Sequence, residues 1–254
     1  MSRSFPPEIF DLIIEHLCDE RTALLATALK ACCLVSKSWV SRTRKHLFAR
    51  IWFEEGGPSI RSWMKAFPDP SNSPARHTRF LWISESLAAR STCIRSFRCL
   101  EELSVDVFGW EDTREASLVQ LRGFSPTLKS LYQVQFPIPE MFNLICSFRL
   151  LENFTVRYGR PERDGAKWIA PSTSPKLTGT LLLMDEIRSV ARGLLALPGG
   201  LHFTKIVMMC LVTDTESMMD LILRCSDTLE SLCIDYCSPS TFHSAPEARQ
   251  YLTA

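Results

Sequence analysis

Ten cysteines and five histidines are the side chains best suited to ligate a metal, attack a carbonyl or exchange disulfides, and their spacing fits none of these roles. Cys32 and Cys33 are adjacent, Cys93 and Cys99 stand six apart, and Cys233 and Cys237 four apart, so no C-x-x-C pair occurs. No histidine lies at zinc-finger distance from any of them, and the histidines at 16, 46, 77, 202 and 243 form no local set. The chain holds no nucleophile elbow, P-loop, H-E-x-x-H, deaminase signature or dinucleotide fingerprint. Gly199-Gly200 lacks the lysine and the helix of a phosphate loop. These observations lead us to expect a non-catalytic protein with no metal and no cofactor.

The cysteines are too sparse for a disulfide scaffold, and residues 1–7 lack the apolar stretch of a secretory signal. Reduced thiols inside the cell, in cytoplasm or nucleus, are the expectation, with the cysteines serving as small apolar residues. Charge is balanced, 29 basic against 28 acidic side chains, so no overall field favours nucleic acid or an anionic membrane. The local cluster Arg42, Arg44, Lys45 and His46 reads as the solvated face of a helix near its negative end. No apolar run approaches the roughly 20 residues of a membrane span, residues 206–212 being among the longest. With 46% apolar and 22% charged residues the chain reads as folded, and its 254 residues allow one large domain or a small and a larger one. A partner must then be recognised by shape.

The elements that would present such a shape begin at Pro7. A helix starts there, with Glu8 and Asp11 near its positive end and Ile9, Leu12, Ile13 and Leu17 on one stripe. Residues 18–21 break the pattern. A second helix covers residues 22–35, rich in alanine and leucine, and a third covers residues 36–48 around Trp39. Three short helices in about 45 residues make a unit that seldom closes a sufficient core alone, so part of its apolar surface needs a partner.

Phe5-Pro6-Pro7-Glu8-Ile9, Ile13, Leu17, the run Leu34-Val35-Ser36-Lys37-Ser38-Trp39 and Leu47-Phe48 together resemble an F-box. The resemblance implies a three-helix hook over residues 4–50 that docks on the Skp-type adaptor of a cullin-RING ubiquitin ligase. Carried over by position, the adaptor contacts are Phe5, Pro6, Pro7, Ile9, Leu12, Ile13, Leu17, Val35 and Trp39, with Ile13 and Trp39 expected to turn toward the interior of the hook. Phe5 stands where the family usually has leucine, and residues 25–29 read as an insertion in the second helix.

Residues 51–75 read as a linker with a short helix: a turn at residues 54–58, a helix capped by Ser59, then three prolines within residues 68–74. Beyond it L-x-x-L-x-L recurs. Its copies begin at Thr78, Leu100, Leu128, Leu151, Thr178, Phe203 and Leu229, at intervals of 22, 28, 23, 27, 25 and 26 residues. Helix-like stretches at residues 140–148, 186–197 and 215–225 fall between the copies. Strand then helix, repeated, is a parallel-sheet solenoid.

Residues 76–237 thus resemble leucine-rich repeats, and residues 238–254 are left as a C-terminal tail that caps the last copy poorly. The fold class is α/β: a three-helix F-box followed by an irregular leucine-rich-repeat-like solenoid with its parallel sheet on the concave side. Gln133 falls at a position the pattern would bury, where it needs a hydrogen-bond partner. Alternation along the strands puts a second set of residues on the concave face, and Trp82, Glu102, Asp106, Tyr132, Arg157, Leu182, Met184, Val207 and Met209 are the candidate contacts to a protein target. With the resemblance, these readings imply the substrate-recognition subunit of an SCF-type ligase, joined by the adaptor to a cullin scaffold and binding neither nucleic acid nor membrane. The alternative is a repeat scaffold not engaged in ubiquitylation.

Overall fold

The computed structural model describes residues 6–19, 23–35, 37–53, 59–83, 96–105, 121–123, 126–134, 138–157, 173–184, 187–210 and 215–236. The chain is α/β: the described residues hold seven α-helices and eight strands, the strands parallel and in chain order in one sheet that does not close. It divides into two compact units, residues 1–103 with 107–127, and residues 104–106 with 128–254.

The first unit opens with α1 (Pro7–Asp19), α2 (Ala23–Val35) and α3 (Lys37–Leu47). Ile14 and Leu29 close the interior of this bundle. Thr43, also buried, satisfies its hydroxyl by donating to the Trp39 carbonyl at 2.6 Å, and lies 3.0 Å from Cys33 Sγ. Trp39 stacks at a tilt on Phe10, ring centroids 4.7 Å apart, and Arg42 forms an ion pair with Asp11 at 2.6 Å. Through these contacts α3 is held to both other helices. Leu29 lies in the stretch read as an insertion; α2 runs through that stretch unbroken, and Leu29 is buried.

Strand β1 (Arg50–Phe53) follows almost at once and pairs in parallel with β2 (Phe80–Ile83), Ile51 opposite Leu81 and Phe53 opposite Ile83. It is an additional copy of the repeat, Phe48-x-x-Ile51-x-Phe53, hidden where the head was read to end. Ile51 and Phe53 are buried as the pattern requires. Residues 51–75 therefore hold a strand as well as α4 (Ile60–Ala66) and a 3-10 turn (Pro74–His77), both opened by serine caps whose hydroxyls accept backbone N–H groups. Trp63 of α4 meets Phe67, Phe48, Phe53 and Phe97 with centroids 4.7 to 6.1 Å apart, an aromatic cluster that joins α4 to the end of α3 and to β1. Strand β3 (Glu102–Val105) is entered by the amides of Glu101 and Glu102, both donating to the Arg79 carbonyl at 2.8 Å.

The second unit carries β4 (Ser130–Val134), α5 (Ile138–Ile145), β5 (Asn153–Arg157), β6 (Thr180–Met184), α6 (Ile187–Leu195), β7 (Lys205–Cys210), α7 (Thr215–Arg224) and β8 (Ser231–Tyr236). The expected helices are present, each within a few residues of its sequence boundary. Leu131, Phe154, Leu181, Leu183, Ile206 and Met208 are buried, which is the phase expected from L-x-x-L-x-L. A threonine recurs as a rung between successive copies: Thr78 donates to the Phe48 carbonyl, Thr127 to Leu100 and Thr228 to Phe203, at 2.9, 2.8 and 3.2 Å. In each case the acceptor is the first residue of the preceding copy, a carbonyl left free where the strand begins. The last copy departs from the rest: Leu232 is 44% exposed and Ile234 half-buried.

Candidate functional site

Two surfaces of the first unit carry sequence expectations: an apolar helical face and an aromatic stretch of sheet. On the head, Ile9, Leu12 and Ile13 project from one stripe of α1 and are exposed, and Val35 is exposed at the C-terminal end of α2. Ile13 does not turn inward as expected. Ile14 fills the interior instead, because a residue one step along a helix lies 100° round the axis and α1 turns that step toward α2 and α3. Trp39 is half-buried against Phe10, as an interior-facing residue should be. Pro6 is exposed and its carbonyl accepts from the Ile9 amide at 3.1 Å, while Pro7 is the first residue of α1. Phe5, and the side chains of Pro7 and Leu17, lie outside the described residues. Leu34, quoted in the motif but not chosen as a contact, is the most exposed large apolar side chain of the described residues.

On the first unit's sheet, Trp82 is half-buried and stands beside Trp52 of β1, a residue the sequence reading passed over because it assigned no strand there. Arg50 lies opposite Phe80 in the ladder, with its guanidinium carbon 4.6 Å from the Phe80 ring centre and 5.9 Å from that of Trp52. Trp52 and Phe80 themselves meet at 5.5 Å. Glu102 joins this group half-buried, and burial pushes its carboxyl above the usual range, the positive charge of Arg50 working against the shift and Glu101 adding to it. The result is an amphipathic strip, with flat aromatic area, one cation and one carboxyl that gains from a cationic neighbour.

In the second unit the expected apolar docking patch is corrected. Leu182, Met184 and Val207 are buried and form a small second core, with Met209 packed against it. The register explains the arrangement: Leu182 stands opposite Val207 and Met184 opposite Met209, so these side chains fill one another's flanks across adjacent strands and present little free surface. Tyr132 is half-buried; Asp106 and the side chains of Arg157 and Gln133 lie outside the described residues. Beside this core, Asn153 ties three strands, donating from Nδ2 to Ser130 Oγ at 3.0 Å and accepting from the Thr180 amide at 2.7 Å. Gly179 leaves the room this needs, since a side-chain carbon there would meet the Asn153 amide carbon at 2.9 Å.

At the C-terminal end of α3, burial lowers the His77 pKa, and the positive charges of Arg76, Lys45 and Arg44 lower it further. Among the described residues no group of three or more His, Cys, Asp and Glu could hold a metal ion, and no helix is long and apolar enough to cross a membrane. No family model matches the chain, and no curated protein matches it.

Proposed function

We propose that this protein is the target-recognition subunit of a cullin-RING ubiquitin ligase, binding a Skp-type adaptor through its helical head and a protein target through its sheet. One observation carries the reading. The head closes a core of its own around Ile14, Leu29 and Thr43, yet leaves Ile9, Leu12, Ile13, Leu34 and Val35 facing solvent. A monomer gains nothing from that surface, and a helical partner would bury it. The F-box-like spacing of the same residues names the partner. On this reading the chain supplies no catalytic group; its contribution is proximity, holding a target beside ubiquitin activated elsewhere in the complex, so that transfer becomes effectively unimolecular. Target contacts are assigned to Arg50, Trp52, Phe80, Trp82 and Glu102, the strip with aromatic area still accessible.

Copurification tests the adaptor half. The wild-type chain is expected to capture a Skp-type adaptor, and the double variant Pro7→Ala, Ile9→Asp to lose it while keeping its far-ultraviolet circular dichroism. Wild-type protein that captures no adaptor overturns the ligase reading and leaves the repeat scaffold.

A further inference from the structure

The array is open at β8. That strand pairs with β7 and has no second neighbour among the described residues. Leu232 is 44% exposed and Ile234 half-buried, although their ladder partners Ile206 and Met208 are buried. Helix α7 packs on α6 and buries Met218 and Leu221, while Met219 and Leu223, four residues apart on one stripe, are 53% and 62% exposed. The same exposed side carries Glu216 and Asp220 in its first half and Arg224 at its end, none of them in an ion pair among the described residues.

A stripe that is acidic at one end and basic at the other, with apolar side chains between, is complementary to itself turned end for end, the relation a two-fold axis imposes. Two copies of β8 set edge to edge by such an axis pair antiparallel. With the axis at Cys233, Leu232 stands opposite Ile234 of the second copy and Ser231 opposite its Asp235, so apolar meets apolar and no like charges face each other. The crossover from β7 to β8 places α7 over that pair of strands, and with strands about 4.8 Å apart the two copies of α7 then stand about 10 Å apart, within helix-packing distance. Because α7 runs back from the Cys210–Tyr236 rung to the Lys205–Ser231 rung, its middle lies level with the middle of β8. Met219 thereby meets Leu223 of the second copy, and Arg224 falls between that copy's Glu216 and Asp220.

We propose that a second copy of this chain covers the open end: β8 pairs antiparallel with its counterpart, and α7 packs on its counterpart through Met219 and Leu223, flanked by crossed ion pairs from Arg224. The dimer satisfies the unpaired strand edge and buries the apolar stripe together, and it stands independently of the ligase reading. A six-residue strand and a ten-residue helix from each copy are fewer than the roughly 20–30 residues a side of a standard interface, so the association is expected at micromolar concentrations.

Sedimentation equilibrium on the full chain tests this. Wild type is expected to pass from monomer to dimer between about 1 and 200 μM. Arg224→Glu, and separately Glu216→Lys with Asp220→Lys, should each stay monomeric, because every crossed pair becomes like-charged. An equimolar mixture of the two variants should dimerise again, since in the mixed pair each charge meets its opposite; a change acting only within one chain cannot produce that rescue. The substituted side chains are all exposed, and circular dichroism matching wild type checks the fold. A short bismaleimide should link the wild-type dimer through its two exposed Cys233 thiols and fail on Cys233→Ser, a measurement that needs no charge-reversed variant. Wild type that stays monomeric throughout overturns the proposal, as does a dimer indifferent to the charge reversals or a mixture that stays monomeric. Crosslinking that survives Cys233→Ser overturns the pairing of β8 with its counterpart.

Discussion

Leu34→Ala separates the surface of the head from its core. Leu34 is 89% exposed at the end of α2, so truncation removes almost nothing from the folded chain's own packing, and unfolding free energy should change by less than about 0.5 kcal/mol. If the proposed function holds, an adaptor buries the same side chain. Covering a leucine contributes about 1.5–3 kcal/mol, and scaling by the exposed fraction leaves about 1.3–2.7 kcal/mol to be lost on truncation. That corresponds to an increase in Kd of roughly 10- to 100-fold. Ile14 supplies the contrasting case: it is fully buried inside the bundle, and Ile14→Ala should cost about 2–5 kcal/mol of stability through lost burial and the cavity left behind. Calorimetric titration with a purified Skp-type adaptor, together with urea unfolding of each variant, measures both quantities. If Leu34→Ala binds as tightly as wild type, or if it loses stability on the scale of Ile14→Ala, the division of the head into closed core and docking face is refuted.

Gly193 of α6 is a position where helix propensity and packing oppose each other. A side-chain carbon there would press on the buried Phe142 ring of α5, 2.8 Å from Cδ2 and nearer still to Cε2 and Cζ. Alanine favours the helix by about 1 kcal/mol but overpacking costs about 1–3 kcal/mol, so Gly193→Ala should lower the urea midpoint at unchanged m-value, and Phe142→Leu should restore part of the loss. Glu102 supplies a pH signature. Burial raises its pKa in the folded state, so the unfolded chain releases this proton at lower pH, and stability falls as pH rises through the interval between the two values. Glu102→Gln should therefore be more stable than wild type at neutral pH, with the difference closing below about pH 4; a difference that does not vary with pH would show that ionisation of Glu102 carries no cost.

What could be read along the chain was what repeats locally. The L-x-x-L-x-L spacing states which side of each strand is apolar, because side chains alternate with a period of two whatever the strand pairs with. It therefore anticipated Leu131, Phe154, Leu181 and Ile206 as core residues. Helix starts were legible for the same reason, as the hydroxyl of Ser59 satisfies an amide only a few residues away. β1 went unread although its copy has the regular spacing, because Phe48 also completes the pattern of the head. Choices between equivalent local readings needed the tertiary structure. Ile13 and Ile14 are both apolar and adjacent, and which one faces the core depends on where α2 and α3 lie. Leu182, Met184 and Val207 alternate correctly for an open face, yet they are buried because β6 and β7 bring them side by side, a register set by residues more than 20 positions apart. Local spacing set the period and apolar side of each element; only the packed chain decided which apolar surface was consumed internally and which, on α1 and α2, stayed exposed, because burial depends on neighbours distant along the chain.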